Sequence, residues 1–172
     1  MPYLVYKIAN DVNDKLYVGS TTLSLVRRWV CHIQEATLTS PRRSSGTSPI
    51  HQAIRAFGEE HFSIHLLEEC PDKQKMIAAE RRWAIHLTSR LPQGYNAVLP
   101  RLTSEDVAVI RFDAFNLPRV DYARLFGISL DEVKLITALS SVQRTHKHVT
   151  RDHLPHNIES YHKFVLQQYE KR

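Results

Sequence analysis

The stretch that decides the fold is Tyr3–Thr21, which reads YLVYKIANDVNDKLYVGST. Two segments rich in β-branched and aromatic residues flank a polar run rich in turn formers, a pattern that predicts a β-hairpin with a five- or six-residue loop. Side chains alternate across a strand, so one tyrosine from each strand, Tyr6 and Tyr17, projects from a small sheet. Aromatic residues also pair across hairpins for packing alone, and that alternative stays open here.

The residues after the hairpin predict a helix with one cationic face. Its expected core stripe, at helical spacing, consists of Val26, Trp29, Val30 and Ile33. Arg28 and His32 lie four residues apart and therefore share a face beside that stripe. An arginine that extends along a solvated surface is the alternative interpretation of this pair.

A later helical pattern, within Pro71–Arg90, carries a carboxylate among apolar residues. Glu80 occupies the spacing of a core residue, in a stripe formed by Met76, Ile77, Trp83, Ala84 and Leu87. An unpaired buried carboxylate is costly, so we expect Glu80 to be neutral, paired or bound to a metal. The neighbouring Arg81 and Arg82 point elsewhere on the helix and are poor partners.

Five ordered segments resemble the successive motifs of the GIY-YIG endonuclease family. They are YLVYKI, LYVGST, the RRW…H of Arg27–His32, the ERRWAIHL of Glu80–Leu87 and the QGYN of Gln93–Asn96. Their order and spacing match over roughly residues 3–98. One departure is visible: the first motif reads Leu4-Val5-Tyr6, so it lacks the usual glycine but keeps the tyrosine.

The resemblance implies roles for several of these side chains. Tyr6 is implied to act as general base towards water, with His32 accepting or orienting the phenolic proton. Tyr17 is implied to face the phosphate, although exchanged roles for the two tyrosines stay open. Asn96 alone is most simply a turn residue, and the resemblance implies instead that it helps to hold the active site.

Hydrolysis of a phosphodiester also needs a cation and a phosphate-binding group. Glu80 is our candidate ligand for one Mg²⁺ or Mn²⁺ ion, because a single carboxylate suffices when water and phosphate oxygens complete the octahedron. Arg28 is suited to phosphate binding, since its guanidinium can donate hydrogen bonds to two phosphate oxygens and offset the negative charge that develops on them. A tyrosine base has an unperturbed pKa of about 10, so it needs a nearby cation that favours the phenolate.

The rest of the first hundred residues completes an α+β module. A short helix is predicted at Pro49–Phe57 and a third strand at Phe62–Leu67, which together with the hairpin makes a small three-stranded mixed sheet flanked by helices. In the polar loop before Pro49, Arg42 and Arg43 suit phosphate contacts that position a duplex. A solvated loop without a partner is equally consistent with that composition.

We place the nuclease domain at residues 1–98 and an all-α region at 99–172. Helices are predicted at Leu102–Ala114, Arg119–Phe126 and Leu130–Leu139, and the pattern resembles a helix-turn-helix over about residues 103–148. A terminal helix is expected at about residues 157–170, with an apolar stripe that docks on the chain or on a second copy.

The C-terminal region is a weaker candidate for DNA binding. Its plausible contacts are Lys134, Arg144 and Lys147. Asp131 and Glu132 oppose DNA at the start of the third helix, so a three-helix packing or protein-contact module is the alternative. The tail histidines are irregularly spaced and lack partner cysteines, which indicates surface residues rather than a metal site.

Composition narrows the class of protein. A formal charge of +5 and a pI near 9.3 favour a polyanionic partner such as DNA. No apolar run approaches the ~18 residues that cross a bilayer, so no membrane partner is expected. The two lone cysteines and the absence of a secretory pattern favour an intracellular protein, in the cytoplasm of a bacterial or phage-infected cell.

The sequence therefore predicts a divalent-metal-dependent DNA endonuclease of the homing or phage type. One alternative is a DNA-binding regulator that uses a catalytically silent nuclease fold, against which the intact Tyr6, Arg28 and Glu80 argue. Another is a nuclease whose C-terminal helices bind a protein. The oligomeric state stays open, and a homodimer is among the alternatives.

Overall fold

The computed structural model describes residues 2–37, 47–138 and 149–156. The chain divides into two compact units, Met1–Arg101 and Leu102–Arg172. Four of the predicted DNA contacts, and the predicted terminal helix, fall outside the described residues; the four are Arg42, Arg43, Arg144 and Lys147. None of the helices in the described ranges is long and apolar enough to cross a membrane.

The first unit is built on three strands, β1 (Tyr3–Asn10), β2 (Leu16–Thr21) and β3 (Phe62–Cys70). The order in the sheet is β2-β1-β3, and β1 pairs antiparallel with both neighbours. The predicted α+β class is confirmed, but the sheet is antiparallel rather than mixed. The reason is that β2 and β3, which run in the same direction, are separated by β1 and never pair.

Helices cover both faces of this sheet. They are α1 (Leu25–Thr37), α2 (Pro49–Phe57) and α3 (Lys73–His86). Alternate residues of β1 point to opposite faces, so Tyr6 and Ile8 join a core with α1 and α2, whereas Val5 joins a core with α3. A short 3₁₀ turn at Glu59–His61 leads from α2 into β3.

The predicted core stripe of α1 is wrong. Val26 is 76% exposed and Val30 is 44% exposed, whereas the buried residues of the helix are His32 and Ala36. Trp29 does pack against the core. The buried stripe is rotated towards the polar residue His32, which hydrophobic spacing cannot identify because its burial depends on hydrogen-bond partners elsewhere in the fold.

The second unit contains α4 (Ser104–Arg111), α5 (Arg119–Phe126) and α6 (Leu130–Thr137), followed by a 3₁₀ turn at Arg151–His153. α4 ends before the predicted Ala114 because Asp113 takes a positive φ of 48° and hydrogen-bonds to the Tyr122 hydroxyl at 2.8 Å. The predicted bounds of α5 are confirmed, and Gly127 closes it in the left-handed conformation.

Candidate active site

The two tyrosines of the hairpin lie on the same face of the sheet. Tyr6 is paired with Gly19 across β1 and β2, and Ile8 with Tyr17, which places the tyrosine rings in diagonal contact at a centroid distance of 6.4 Å. A Cβ atom at Gly19 would lie 2.7 Å from both the Tyr6 hydroxyl and Cε1 of Tyr17. Glycine is therefore needed at position 19 because both rings fold over its backbone.

Helix α1 brings a base and a cation to Tyr6. The Tyr6 hydroxyl lies 2.8 Å from Nε2 of His32 and accepts a hydrogen bond from Nε of Arg28 at 3.0 Å. Tyr6 and His32 are almost completely buried. Tyr17 meets the edge of the His32 ring at a centroid distance of 5.6 Å. The structure thus brings together four residues that the sequence analysis singled out.

Burial keeps the Tyr6 and His32 pair uncharged at neutral pH. Desolvation raises the pKa of Tyr6 above its ordinary value, although the Arg28 guanidinium opposes that rise. Desolvation, together with the charge of Arg28 and the proximity of His51, lowers the pKa of His32 to about 3. Burial likewise raises the pKa of Tyr17. A phenol and a neutral imidazole therefore share the hydrogen bond.

Glu80 extends from α3 towards the end of β2. Its Oε2 accepts a hydrogen bond of 2.5 Å from the Ser20 hydroxyl, and its charge is close enough to raise the pKa of Tyr6 and Tyr17. Burial raises the pKa of Glu80 itself, while Ser20 and Arg28 oppose that rise. Among the described residues it forms no ion pair, so its charge is only partly compensated.

Asn96 binds the outer edge of β2 rather than the tyrosines. Its Oδ1 accepts from the backbone N–H of Val18 at 2.9 Å, and its Nδ2 donates to the Val18 carbonyl at 2.8 Å. The side-chain amide thus satisfies both backbone groups, as a neighbouring strand would. The backbone N–H of Tyr95 extends this pairing to the Leu16 carbonyl at 2.9 Å.

A second layer of polar groups, which was not predicted from the sequence, lies behind His32. His32 Nδ1 lies 3.0 Å from Nε2 of His51, whose Nδ1 lies 2.8 Å from the Ser48 hydroxyl. One carboxylate oxygen of Glu35 lies 3.2 Å from His51 Nε2, and the other lies 3.7 Å from Nη1 of Arg28. A hydrogen-bonded chain therefore runs from Tyr6 through two histidines.

The sequence does contain a signal for His51. It is a polar residue among the apolar positions of α2, where Ile50, Ala53 and Ile54 are also buried. The same signal, a polar side chain inside an apolar stripe, identified Glu80. Ser20 and Glu35 carry no such signal, because only their tertiary contacts distinguish them from ordinary polar residues.

The remaining predicted DNA contact within the described residues is Lys134. It lies on α6 in the second unit, is exposed, and donates to Asp131 at 2.9 Å. An exposed ion pair of this kind contributes little to stability.

Comparison with known proteins decides the family. The model of the GIY-YIG catalytic domain matches residues 2–96, more than half of the chain. The chain belongs to the GIY-YIG family. The predicted family and the predicted class of enzyme, a GIY-YIG endonuclease, are confirmed.

Two solved structures similar to this GIY-YIG endonuclease are the catalytic domain of the homing endonuclease I-TevI and a mutant of the same domain, described as that of an intron endonuclease. Each is 27% identical to the chain. The mutant structure covers 60% of this chain and 100% of its own, with a TM-score of 0.49. The other covers 56% of this chain and 98% of its own, with a TM-score of 0.44. No curated protein matches the chain.

The departure from the first GIY-YIG motif falls at a buried strand position. Leu4, where the usual glycine is absent, is 8% exposed and pairs with Thr21 on one side and Glu69 on the other. The leucine side chain is accommodated at this buried position, and Tyr6 keeps its pairing with Gly19 of β2, although the register with β3 shifts between Val5 and Tyr6.

Proposed function

We propose that this GIY-YIG endonuclease hydrolyses DNA phosphodiester bonds with one divalent cation, and that Tyr6 is the general base. The observation that carries the proposal is the Tyr6 hydroxyl, which contacts both an imidazole nitrogen that accepts a proton and a guanidinium that stabilises the phenolate. A proton acceptor and a cation beside the hydroxyl both favour the phenolate, which is the form that acts as a base.

The proposed proton path begins at the phenol. Tyr6 gives its proton to His32 Nε2, and the resulting phenolate takes a proton from the attacking water. The water oxygen bonds to phosphorus as the P–O bond to the leaving oxygen breaks. The leaving oxygen gains a proton from solvent, and His32 releases its extra proton to solvent. His32 is neutral at rest and can accept, but its pKa of about 3 makes the transfer unfavourable in the free enzyme. The Arg28 guanidinium acts on both partners of the transfer, because its charge helps to lower the pKa of His32 and also opposes the rise in the pKa of Tyr6.

Arg28 is the proposed phosphate ligand. Its Nε is committed to Tyr6 and one terminal nitrogen lies near Glu35, so it is held in position before substrate arrives. A guanidinium at this place stabilises both the phenolate and the charge that develops on the phosphate during attack. Preorganisation of this kind avoids reorientation at the moment of reaction.

Glu80 is the proposed ligand of the divalent cation. A partly buried carboxylate that has one hydroxyl donor and no ion pair among the described residues fits a hard cation, which would supply the missing positive charge. A bound Mg²⁺ or Mn²⁺ supplies Lewis-acid stabilisation of the phosphate oxygens. Ser20 holds the carboxylate in one orientation for that contact.

The second unit is the proposed targeting region for DNA, in an enzyme of the homing or phage type. Its three short helices and the basic residues Lys134, Arg144 and Lys147 support this role, and Arg42 and Arg43 would add contacts from the first unit. The acidic first turn of α6, Asp131 and Glu132, disfavours direct insertion of that helix end into DNA.

The test compares the 172-residue chain with its Glu80→Ala variant on supercoiled and linear DNA, each with Mg²⁺ or with EDTA. Glu69→Ala, which removes an exposed carboxylate from β3, is the matched control. We expect the wild type and the control to cleave only with Mg²⁺, and Glu80→Ala to bind DNA without cutting it. Full nicking by Glu80→Ala would contradict the metal-ligand role. Binding without cleavage in every variant, wild type included, would favour a DNA-binding regulator.

A further inference from the structure

Behind the proposed active site, three side chains from α1 and α2 converge in a way the cleavage mechanism does not require. One ligand atom from each of His32, Glu35 and His51 lies within 4.8 Å of the other two. This is the one such group of three metal-ligating side chains in ranges 2–37, 47–138 and 149–156. Both histidines are buried.

Each of the three residues is held in place by its other polar atom. His32 contacts the Tyr6 hydroxyl through Nε2, and His51 contacts the Ser48 hydroxyl through Nδ1. The second carboxylate oxygen of Glu35 lies near the Arg28 guanidinium. Metal-binding histidines and carboxylates are oriented by outer partners in this manner, which fixes the ring and the tautomer.

The donor atoms suit a transition metal rather than Mg²⁺. Two imidazole nitrogens and one carboxylate oxygen are typical of Zn²⁺ sites, and three protein ligands leave a fourth position for water. His32 Nδ1 and His51 Nε2 are 3.0 Å apart, and Glu35 Oε2 is 3.2 Å from the latter. Ligands at about 2.1 Å around a tetrahedral Zn²⁺ are roughly 3.4 Å apart, so small side-chain shifts open the cluster to an ion.

We propose that His32, Glu35 and His51 form a Zn²⁺-type transition-metal site, distinct from the cation site at Glu80, and that an ion bound there inhibits cleavage. The binding part of the proposal stands on the cluster alone. The inhibitory part rests on the proposed role of His32 as acceptor of the Tyr6 proton.

Inhibition follows from which ring nitrogen of His32 carries its proton. A neutral imidazole carries one proton, and an ion on Nδ1 leaves that proton on Nε2. Nε2 then donates to the Tyr6 hydroxyl and has no lone pair with which to accept the phenolic proton. The Arg28 guanidinium repels an ion at the cluster, and the Glu35 carboxylate, which faces both, offsets that repulsion.

The first experiment measures Zn²⁺ binding to the full chain by competition with a chromophoric chelator. Glu35→Gln removes one ligand, and His61→Gln is the matched control because His61 forms another histidine–carboxylate pair, with Asp11 at 2.9 Å. We expect Glu35→Gln to weaken the tightest site by at least about 100-fold, because loss of an outer partner alone costs about 10–100-fold, and the control to leave it unchanged. The tail histidines contribute the same background in every variant.

Co²⁺ provides a second readout of the same site. A tetrahedral Co²⁺ band in the visible spectrum of the wild type, lost in Glu35→Gln, supports the cluster as the ligand set. Equal Zn²⁺ affinity in the wild type and Glu35→Gln would overturn the site. Should Glu35→Gln change the urea midpoint of the first unit, His51→Gln serves as the second ligand variant under the same criteria.

The second experiment adds Zn²⁺ to DNA cleavage assays at saturating Mg²⁺, and compares each variant with its own rate without Zn²⁺. We expect Glu35→Gln to need about 100-fold more Zn²⁺ for half-inhibition than the wild type. Equal potency would place inhibition outside the cluster and overturn the regulatory role. A wild type that never cleaves DNA would instead refute the proposed function, while the binding result would still decide the metal site.

Discussion

Tyr6 and Gly19 face each other across the first two strands, and the phenolic oxygen of Tyr6 occupies the space that a side chain at position 19 would fill. The separation of 2.7 Å from an ideal Cβ is too short for any real contact. Because Tyr6 is fully buried, its ring cannot simply swing aside. Glycine is therefore required at position 19, in the second motif, because a side chain there would displace Tyr6 of the first motif.

For Gly19→Ala we expect a cleavage rate about 100-fold lower, since a misplacement of around 1 Å in a reacting group has effects of that size. The added methyl group pushes the Tyr6 hydroxyl away from His32 and Arg28 while leaving the strand pairing intact. Single-turnover cleavage and gel shift of the same preparation check this. Wild-type cleavage by Gly19→Ala would show that the ring relaxes without loss.

Replacing each tyrosine by phenylalanine separates their roles. Tyr6→Phe removes the hydroxyl that contacts His32 and Arg28, so we expect a rate loss of about 10²–10⁴, the range for a general base. Tyr17→Phe keeps the ring packed against His32 and is expected to lose less. Parallel rate measurements decide between them, and a larger loss in Tyr17→Phe would exchange the two roles.

Asn96→Ala is expected to destabilise the first unit by about 2–4 kcal/mol, because both backbone groups of the buried Val18 lose their partner. Urea unfolding followed by tryptophan fluorescence measures this selectively, since the two tryptophans of the chain, Trp29 and Trp83, both belong to the first unit. Gln93→Ala, which removes a nearby exposed amide, is the control. An unchanged midpoint in Asn96→Ala would leave its role to be sought in catalysis.

His32 makes the first unit sensitive to acid. Its pKa is lowered from 6.5 to about 3 on folding, so between these pH values the unfolded chain binds more protons than the folded one. The contribution of His32 to the free energy of unfolding is therefore fully present above pH 6.5 and is lost as the pH falls towards 3. The free energy of unfolding falls over this range by at most about 1.4 kcal/mol per pH unit.

The corresponding variant is His32→Gln, which has no proton to gain in this range. Between pH 7 and about pH 4 we expect its free energy of unfolding to fall less than that of the wild type. The difference is the loss of stability that protonation of His32 causes in the wild type. Urea titrations at both pH values test this. Identical pH dependence in the two proteins would mean that His32 titrates normally in the fold.

Local sequence patterns were sufficient for most elements and for part of the site. The hairpin, α2 and α5 follow from strand composition, Pro49 at a helix start and Gly127 at a helix end, all of which act within a few residues. Glu80 could be found because a charged residue in an apolar stripe has an unfavourable free energy unless something compensates it.

The errors have a common physical origin. Helical spacing shows that Arg28 and His32 share a face. The direction in which that face points is decided by packing against the sheet and α2. The helix α1 buries His32 and leaves Val26 and Val30 exposed. The mixed sheet was wrong for a similar reason, since strand order depends on where the chain returns after α2.

What the sequence determined by itself was the set of local elements, the motif residues and the family. What only the tertiary structure decided was which polar groups meet: Glu80 with Ser20, and His32 with His51 and Glu35. Contacts between side chains on different elements depend on the packing of whole helices, because distances of about 3 Å are set by the sum of many buried contacts rather than by any local preference.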